Sequence, residues 1–362
     1  MTDLSVQGEM EQSRASPIVR LAGSRRFHRF ARSVPGLRWL VRREGERMFD
    51  LVAGFCQSQI LLALIDLEIL QCLADGPQSP LDLALAVRVP EGRMKVLLNG
   101  GAALGLITVR REVKLTPRGA ALLAVPGLPD MIRHHETLYR DLSDPVAFFR
   151  GETETELAAV WPYVFGDGAA QDPARAARYS RLMEGSMALV AEDTLAAVDL
   201  SRAEHLMDVG GGTGAFVKAV AKTVPKLDLT LFDLPAVTAG VTDLPPRARI
   251  LSGSFRDGNL PRGADVITLV RVLYDHDDAS VAELLARVRD ALPPRGRVII
   301  SEPMTGCRAG DSYFALYCMA MRTGQVRSVE RVAELLREAG FGGLRTPKSR
   351  RPFVTSVVEA VR

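Results

Sequence analysis

A chain of 362 residues with 47% hydrophobic and 25% charged side chains has an ordinary globular composition and room for two domains, each with a full core. Its formal net charge is only +3, so the chain as a whole does not ask for a polyanionic partner. No apolar run reaches the roughly 18 residues of a membrane span, and the first twenty residues lack the apolar stretch of a signal peptide, which points to the cytoplasm.

Residues 1–15 read as disordered, within a basic arm over residues 1–47. Ten arginines face six acids in residues 1–50, a balance of +4 that leaves −1 for the remainder of the +3 chain. From Arg14 to Arg47 the arginines interleave with Phe27, Phe30, Leu37, Trp39 and Leu40. Such a segment either lies on an anionic membrane or packs on a partner subunit with its arginines solvated, and the second is the plainer reading. Residues 48–125 come next. Phe49, Val52, Phe55, Ile60, Leu61, Leu64 and Leu67 predict a helix over Met48–Leu73 that Gly76-Pro77 breaks. A short helix from Ser79-Pro80, a third over Glu91–Leu104, a hairpin of Leu106–Val109 with Val113–Leu115, and a helix after Pro117 complete a winged-helix pattern. Arg93 and Lys95 are the only basic groups on its third helix, too few for a DNA footprint, so a dimerisation module is expected. Residues 126–200 are helical and rich in aromatics, including Tyr139, Phe148, Phe149, Trp161, Tyr163, Phe165 and Tyr179, and read as connector and pocket wall.

From His205 strands and helices alternate, which predicts a parallel, doubly wound α/β domain over residues 201–362. The strands expected are Leu206–Val209, Leu227–Phe232, Arg249–Leu251, Ala264–Leu269 and Arg297–Ser301, with a closing hairpin of Gly343–Thr346 and Phe353–Val358. The strongest motif is Asp208-Val209-Gly210-Gly211-Gly212-Thr213-Gly214, set between the first strand and a helix. Gly210, Gly212 and Gly214 let the backbone turn and approach a ligand, and the helix start offers unpaired N–H groups. No Gly-Lys-Ser/Thr follows, which excludes a P-loop, and the spacing is not that of nicotinamide enzymes. An acid just before the glycines suits the cationic amino end of S-adenosylmethionine. Asp233, 25 residues on, stands where a ribose-binding acid belongs, beside Leu234. The four cysteines, Cys56, Cys72, Cys307 and Cys318, have no metal-ligand spacing, so no metal is expected and buried free thiols are.

The glycine motif, Phe232-Asp233-Leu234-Pro235 and Leu273-Tyr274-Asp275-His276-Asp277-Asp278 resemble the plant-type small-molecule O-methyltransferases from about residue 45 to the end. The resemblance implies a Rossmann-like class I methyltransferase domain, a mainly helical winged-helix-like dimerisation domain before it, S-adenosyl-L-methionine as cofactor, and a homodimer. It places Ser254, Phe255, Arg271 and Met183 at the cofactor beside the glycine loop. Arg133–Pro145, Trp161–Gly166 and Val270–His276 resemble a narrower group, the hydroxyneurosporene O-methyltransferases of purple phototrophic bacteria. That likeness implies a carotenoid substrate methylated on its tertiary 1-hydroxyl. His134, His135, Tyr139 and Trp161 are then expected at the substrate. The sequence departs from the broader family at its catalytic His, which falls on Tyr274, while the family Trp falls on His276. The family's adenine-side acid falls on Gly253. Of two carboxylates flanking the family His, one corresponds to Glu302 and the other falls on Val326.

A tertiary alcohol is a weak acid, so its proton has to be taken up during or after attack. A neutral His suits this role. The expected catalytic residues are His276 as base, with Tyr274 orienting the hydroxyl and Glu302 polarising a neighbour; His134 and His135 are second candidates. Each has a plainer reading: a pocket-wall histidine, or a carboxylate binding a helix start. Met183, Met187, Met304, Met319 and Met321 either line an apolar tunnel or form ordinary core. A phenol, polyketide or bacteriochlorophyll-precursor methyltransferase of the same fold is the alternative. A ligand-sensing DNA-binding regulator and a catalytically inert scaffold are the non-enzymatic ones.

Overall fold

The computed structural model describes residues 16–160 and 173–362. The expectation of disorder in residues 1–15 and the site residue Trp161, with Tyr163 and Phe165, lie outside the described residues, as do the side chains of Tyr179 and Met183.

The arm forms helices α1 (Pro17–Ala22) and α2 (Arg25–Ser33), the latter capped by Ser24, whose hydroxyl accepts from the Phe27 N–H. Helix α3 runs over Pro35–Asp66, starting well before Met48 because Pro35 supplies a preset first turn and the arginine-rich stretch holds no breaker. It ends where Glu68 turns left-handed (φ 55°), and α4 (Ile69–Ala74) resumes the chain. Helices α5 (Pro80–Ala86) and α6 (Glu91–Ala103), the antiparallel hairpin of β1 (Ile107–Val109) with β2 (Val113–Leu115), and α7 (Pro117–Ala124) follow. They enclose a core of Leu64, Ile65, Ile69, Leu70, Leu83, Met94, Leu98 and Ile107, each burial contributing about 1.5–3 kcal/mol.

On α3, Phe49, Val52 and Phe55 are 68–71% exposed, because the core begins only at Ile60. The helix is long enough, and with a mean hydropathy of 1.7 over an 18-residue window apolar enough, to cross a membrane by length and composition only, while its apolar residues form no unbroken run. The cysteines differ from expectation: all four are free, but Cys56 is exposed and only Cys318 is buried.

Helices α8 (Leu128–Asp141), α9 (Pro145–Phe149), α10 (Glu156–Val160) and α11 (Pro173–Ala197) link the halves. Asp141 pins the start of α10 by accepting from the N–H groups of Glu156 and Leu157 at 2.6 and 3.1 Å. Gly127, left-handed at φ 72°, lies so near Gly185 that a Cβ on it would stand 2.6 Å from the Gly185 carbonyl carbon, which brings α8 against α11.

The second half is a seven-stranded sheet in the order β5-β4-β3-β6-β7-β9-β8. The strands are β3 (His205–Val209), β4 (Asp228–Asp233), β5 (Ala248–Ser252), β6 (Val266–Val270), β7 (Arg297–Glu302), β8 (Gly342–Arg345) and β9 (Ser356–Val361). From β5 to β7 the pairing is parallel, and β9 runs antiparallel to both neighbours. The second strand of the closing hairpin starts at Ser356 rather than Phe353. Alternate residues face opposite cores: Met207, Val209, Ile267 and Leu269 pack on one side, Leu206, Val266 and Val270 on the other. Helices α12 (Ala215–Thr223), α13 (Pro235–Thr238), α14 (Asp278–Ala291), α15 (Ala315–Met321) and α16 (Val329–Glu338) complete the layers. The strand order reverses between β3 and β6, the crevice where open α/β sheets bind ligands.

Candidate active site

At the end of β3 the buried Asp208 accepts from the Thr268 hydroxyl of the adjacent β6 at 2.6 Å, while its Oδ2 has no protein partner. Burial pushes this carboxyl up to about 7. The backbone then turns through Gly210, Gly212 and Gly214, at φ 73°, 59° and 79°. A Cβ on Gly210 would stand 2.8 Å from Val272, and one on Gly214 would stand 2.6 Å from Leu244, so these positions exclude larger residues twice over. Gly212 faces open space and sends its N–H to Asp233 Oδ2 at 2.7 Å. Asp233 Oδ1 takes the Leu234 N–H, also at 2.7 Å. Its carboxylate thus spans the glycine loop and the end of β4, with lone pairs remaining for two hydroxyls. Burial raises its pKa against those two hydrogen bonds.

Beyond β5, Gly253 donates to the Asp233 carbonyl, and the Ser254 hydroxyl accepts the Arg256 N–H. Phe255 meets the His276 ring edge-on at a centroid distance of 5.3 Å. Arg256 donates to His276 Nδ1 at 3.2 Å. A guanidinium cannot accept, so His276 is the neutral tautomer with its hydrogen on Nε2. Burial, then the Arg256 charge, hold its pKa down to about 4. The ring therefore has no lone pair left for a substrate proton, and it belongs to the Phe255 side of the crevice.

Arg271 follows β6 at a left-handed φ of 60°, an uncommon conformation for a residue with a Cβ. It donates to Ser186 Oγ on α11 at 2.7 Å and hydrogen-bonds the Tyr274 phenol. Tyr274 is buried in the short 3₁₀ turn Leu273–Asp275, and that burial, with Asp275 beside it, drives the phenol far above its ordinary range. Glu302, at the end of β7, accepts the Tyr274 and Leu273 N–H groups. Its Oε1 has no partner, and burial pushes it up to about 7. This is the plainer of the two readings given to Glu302: a carboxylate that fixes a turn.

The structure brings His134 and His135 of α8 to the same edge. His134 Nε2 lies 2.8 Å from the Tyr317 hydroxyl, and His135 Nε2 lies 2.9 Å from the Tyr313 hydroxyl. Tyr139 packs edge-on to His135 at 6.2 Å. Tyr313 stands in a π-helical turn, Ala309–Phe314, a form that recurs at functional sites. Gly310 permits that turn, since any Cβ there would fall 2.0 Å from the Met304 carbonyl oxygen. Burial lowers the His135 pKa and pushes Tyr313 up to about 12 despite the nearby Arg271 charge. Sequence reasoning missed Tyr313, Arg256 and Arg327; only spatial contact marks them. Buried Arg327 binds the carbonyls of Leu273 and His276 at 2.8 Å and Asp278 at 2.7 Å.

A family model described as an O-methyltransferase domain matches residues 139–342. The chain belongs to the O-methyltransferase family. This methyltransferase is 54% identical to the demethylspheroidene O-methyltransferase of Cereibacter sphaeroides, over 95% of its own length and 94% of that enzyme. It is 51% identical to the enzyme of that name from Rhodobacter capsulatus, over 98% and 91%. The crystal structure of human N-acetylserotonin methyltransferase in complex with S-adenosylmethionine matches it with a TM-score of 0.75 over 88% of this chain and 97% of that one, at 23% identity, which shows the fold. S-adenosylmethionine is the cofactor that the site fits: a buried carboxylate oxygen of Asp208 has no protein partner and suits a cation, the Asp233 carboxylate bridges the glycine loop and the end of β4, and Gly212 faces open space. Among the described residues no group of three His, Cys, Asp or Glu could hold a metal ion.

Proposed function

We propose that this methyltransferase transfers the methyl group of S-adenosylmethionine to the tertiary 1-hydroxyl of an acyclic carotenoid of the hydroxyneurosporene or demethylspheroidene type. The observation that carries the substrate class is the likeness, over nearly the whole chain, to two enzymes named for demethylspheroidene. A local feature supports it: Tyr274, with its phenol tied to Arg271, stands where the broader family keeps an imidazole that suits phenols. The cofactor supplies an activated methyl on a sulfonium and needs no metal.

The chain's own residues hold the partners and dispose of a proton. Asp208 receives the amino end of the cofactor, Asp233 and the Leu234 N–H its ribose, and Ser254, Phe255 and His276 flank the base. Arg271 places a cation for the cofactor carboxylate. The hydroxyl is held between Tyr274 and Tyr313, with His134 and Tyr139 around the polyene end. Of the three histidines, His135 is best suited to take the proton: burial keeps it neutral, and its Nε2 faces a phenol that can pass a proton on. His276 and Glu302 then position rather than transfer. The enzyme works as a homodimer, with the exposed apolar row Met48–Phe55 of α3 covered by a second copy. It acts in the cytoplasm at the membrane that dissolves its substrate.

The test is methyl transfer from labelled S-adenosylmethionine to a detergent-dispersed 1-hydroxy carotenoid. The reading expects label in a carotenoid methyl ether. Cofactor binding without such a product overturns the substrate class.

A further inference from the structure

We infer that the segment Ser16–Arg43 is a docking surface for an anionic lipid bilayer. The inference deepens the carotenoid reading, since a polyene dissolves in a membrane, but its observations are independent of it. Between Ser16 and Arg43 the sequence holds eight arginines and not one acid, in a chain whose total charge is +3. Arg20, Arg25, Arg26 and Arg29 are exposed on α1 and α2. Among the described residues no carboxylate pairs with any of them; the next acids after the segment, Glu44 and Glu46, serve Arg47 and Arg42.

The apolar side chains of the same segment are equally exposed: Ile18 at 77%, and Val19, Leu21, Phe30, Trp39 and Leu40 all above half. Among the described residues of the segment only Ala31 is buried, where α2 folds back on α3. Arg43 stacks over Trp39 at 5.3 Å, an aromatic with a cation at the level where lipid headgroups meet hydrocarbon. Nucleic acid would satisfy the arginines but leave Ile18, Val19 and Leu21 in water. A second copy of the chain would cover the apolar groups but bring the same unpaired cations together. An anionic bilayer takes both, the phosphates meeting guanidinium and the apolar groups entering the interface.

The test is flotation of the full-length protein with vesicles of phosphatidylglycerol and phosphatidylcholine against vesicles of phosphatidylcholine alone. The surface predicts binding to the anionic vesicles only, weakened about tenfold or more by high salt and by the combined variant R20E, R25E, R26E and R29E. Ile18→Ser with Phe30→Ser, which leaves the charge intact, lowers the same binding. Methyl transfer to detergent-dispersed substrate stays unchanged in both variants. No flotation, or equal flotation with neutral vesicles, overturns the docking while leaving the carotenoid reading untouched. Loss of the dimer in the arginine variant, seen by light scattering, makes the segment an interface between copies. Stronger retention by duplex DNA than by vesicles makes it a nucleic-acid arm. Transfer to a catechol alone, with flotation intact, overturns the substrate and not the docking.

Discussion

Asp208 and Asp233 sit on adjacent strand ends and are both lifted by burial, but only Asp208 leaves an oxygen without a partner. With its pKa at about 7, Asp208 keeps a proton below that pH which a cation has to displace. Cofactor affinity should therefore be flat above pH 7 and fall as pH drops below it, by up to about tenfold per unit, with a proton released on binding. Calorimetry in buffers of different ionisation enthalpy measures that proton; affinity that is constant from pH 6 to 8 would contradict the assignment. Asp233→Ala removes charge-assisted hydrogen bonds of about 1.5–3 kcal/mol each, so cofactor affinity should drop about tenfold or more. At the acceptor end, Tyr313→Phe and His135→Gln should each lower kcat by about 10²-fold or more with little change in KM or in cofactor affinity. An unaltered kcat in both would return the proton to another group. The placement of Asp208 and Asp233 at adjacent strand ends was legible in the sequence because a strand, a glycine turn and a second strand fix them within one local unit. Tyr313 was not, because its partner His135 lies 178 positions away and only the packing of α8 on the second domain joins them.

The 3₁₀ turn after β6 is the element on which the site depends. Glu302 holds its N–H groups from below, and Arg327 binds the Leu273 and His276 carbonyls from the side. Arg327→Ala would orphan those carbonyls and take one donor from Asp278, lowering the unfolding free energy measured by denaturant titration by about 3 kcal/mol. Glu302 titrates up to about 7 against an ordinary 4.5, so the folded state binds the extra proton between those values. Stability from this group falls as pH rises through that window, and Glu302→Gln should flatten the fall while keeping an oxygen for the turn. A variant whose thermal midpoint keeps the wild-type slope would exclude Glu302 as its source. Most elements of the sheet were legible from alternation alone, with ends wrong by one to three residues. The π turn was not: Gly310 looks like a loop glycine until the Met304 carbonyl is seen against it. Nor was the start of α3, since Pro35 signals both a break and a first helical turn.

At the scale of the whole molecule, two faces separate. On one, α11 packs against α12, β7 and β9 and α8 packs against α15; on the other, the far end of α3 projects apolar residues from a helix 32 residues long. Phe49, Val52 and Phe55 are exposed in the single chain, and the homodimer proposed above would cover them with a second copy. Phe55→Glu should then shift the mass in light scattering from dimer toward monomer while the isolated chain stays folded by circular dichroism. Unchanged mass would assign that face elsewhere. On the proposed reading the second domain would carry the cofactor chemistry, and the helical half would supply the histidines His134 and His135.

The claim that this fold methylates a carotenoid hydroxyl is tested most directly by competition in one vessel. Purified protein receives labelled S-adenosylmethionine with a 1-hydroxy acyclic carotenoid and a catechol together, and the labelled products are separated. The account predicts that the label enters the carotenoid methyl ether in preference to the catechol, and that Tyr313→Phe depresses that product. Label found only in the catechol would contradict it.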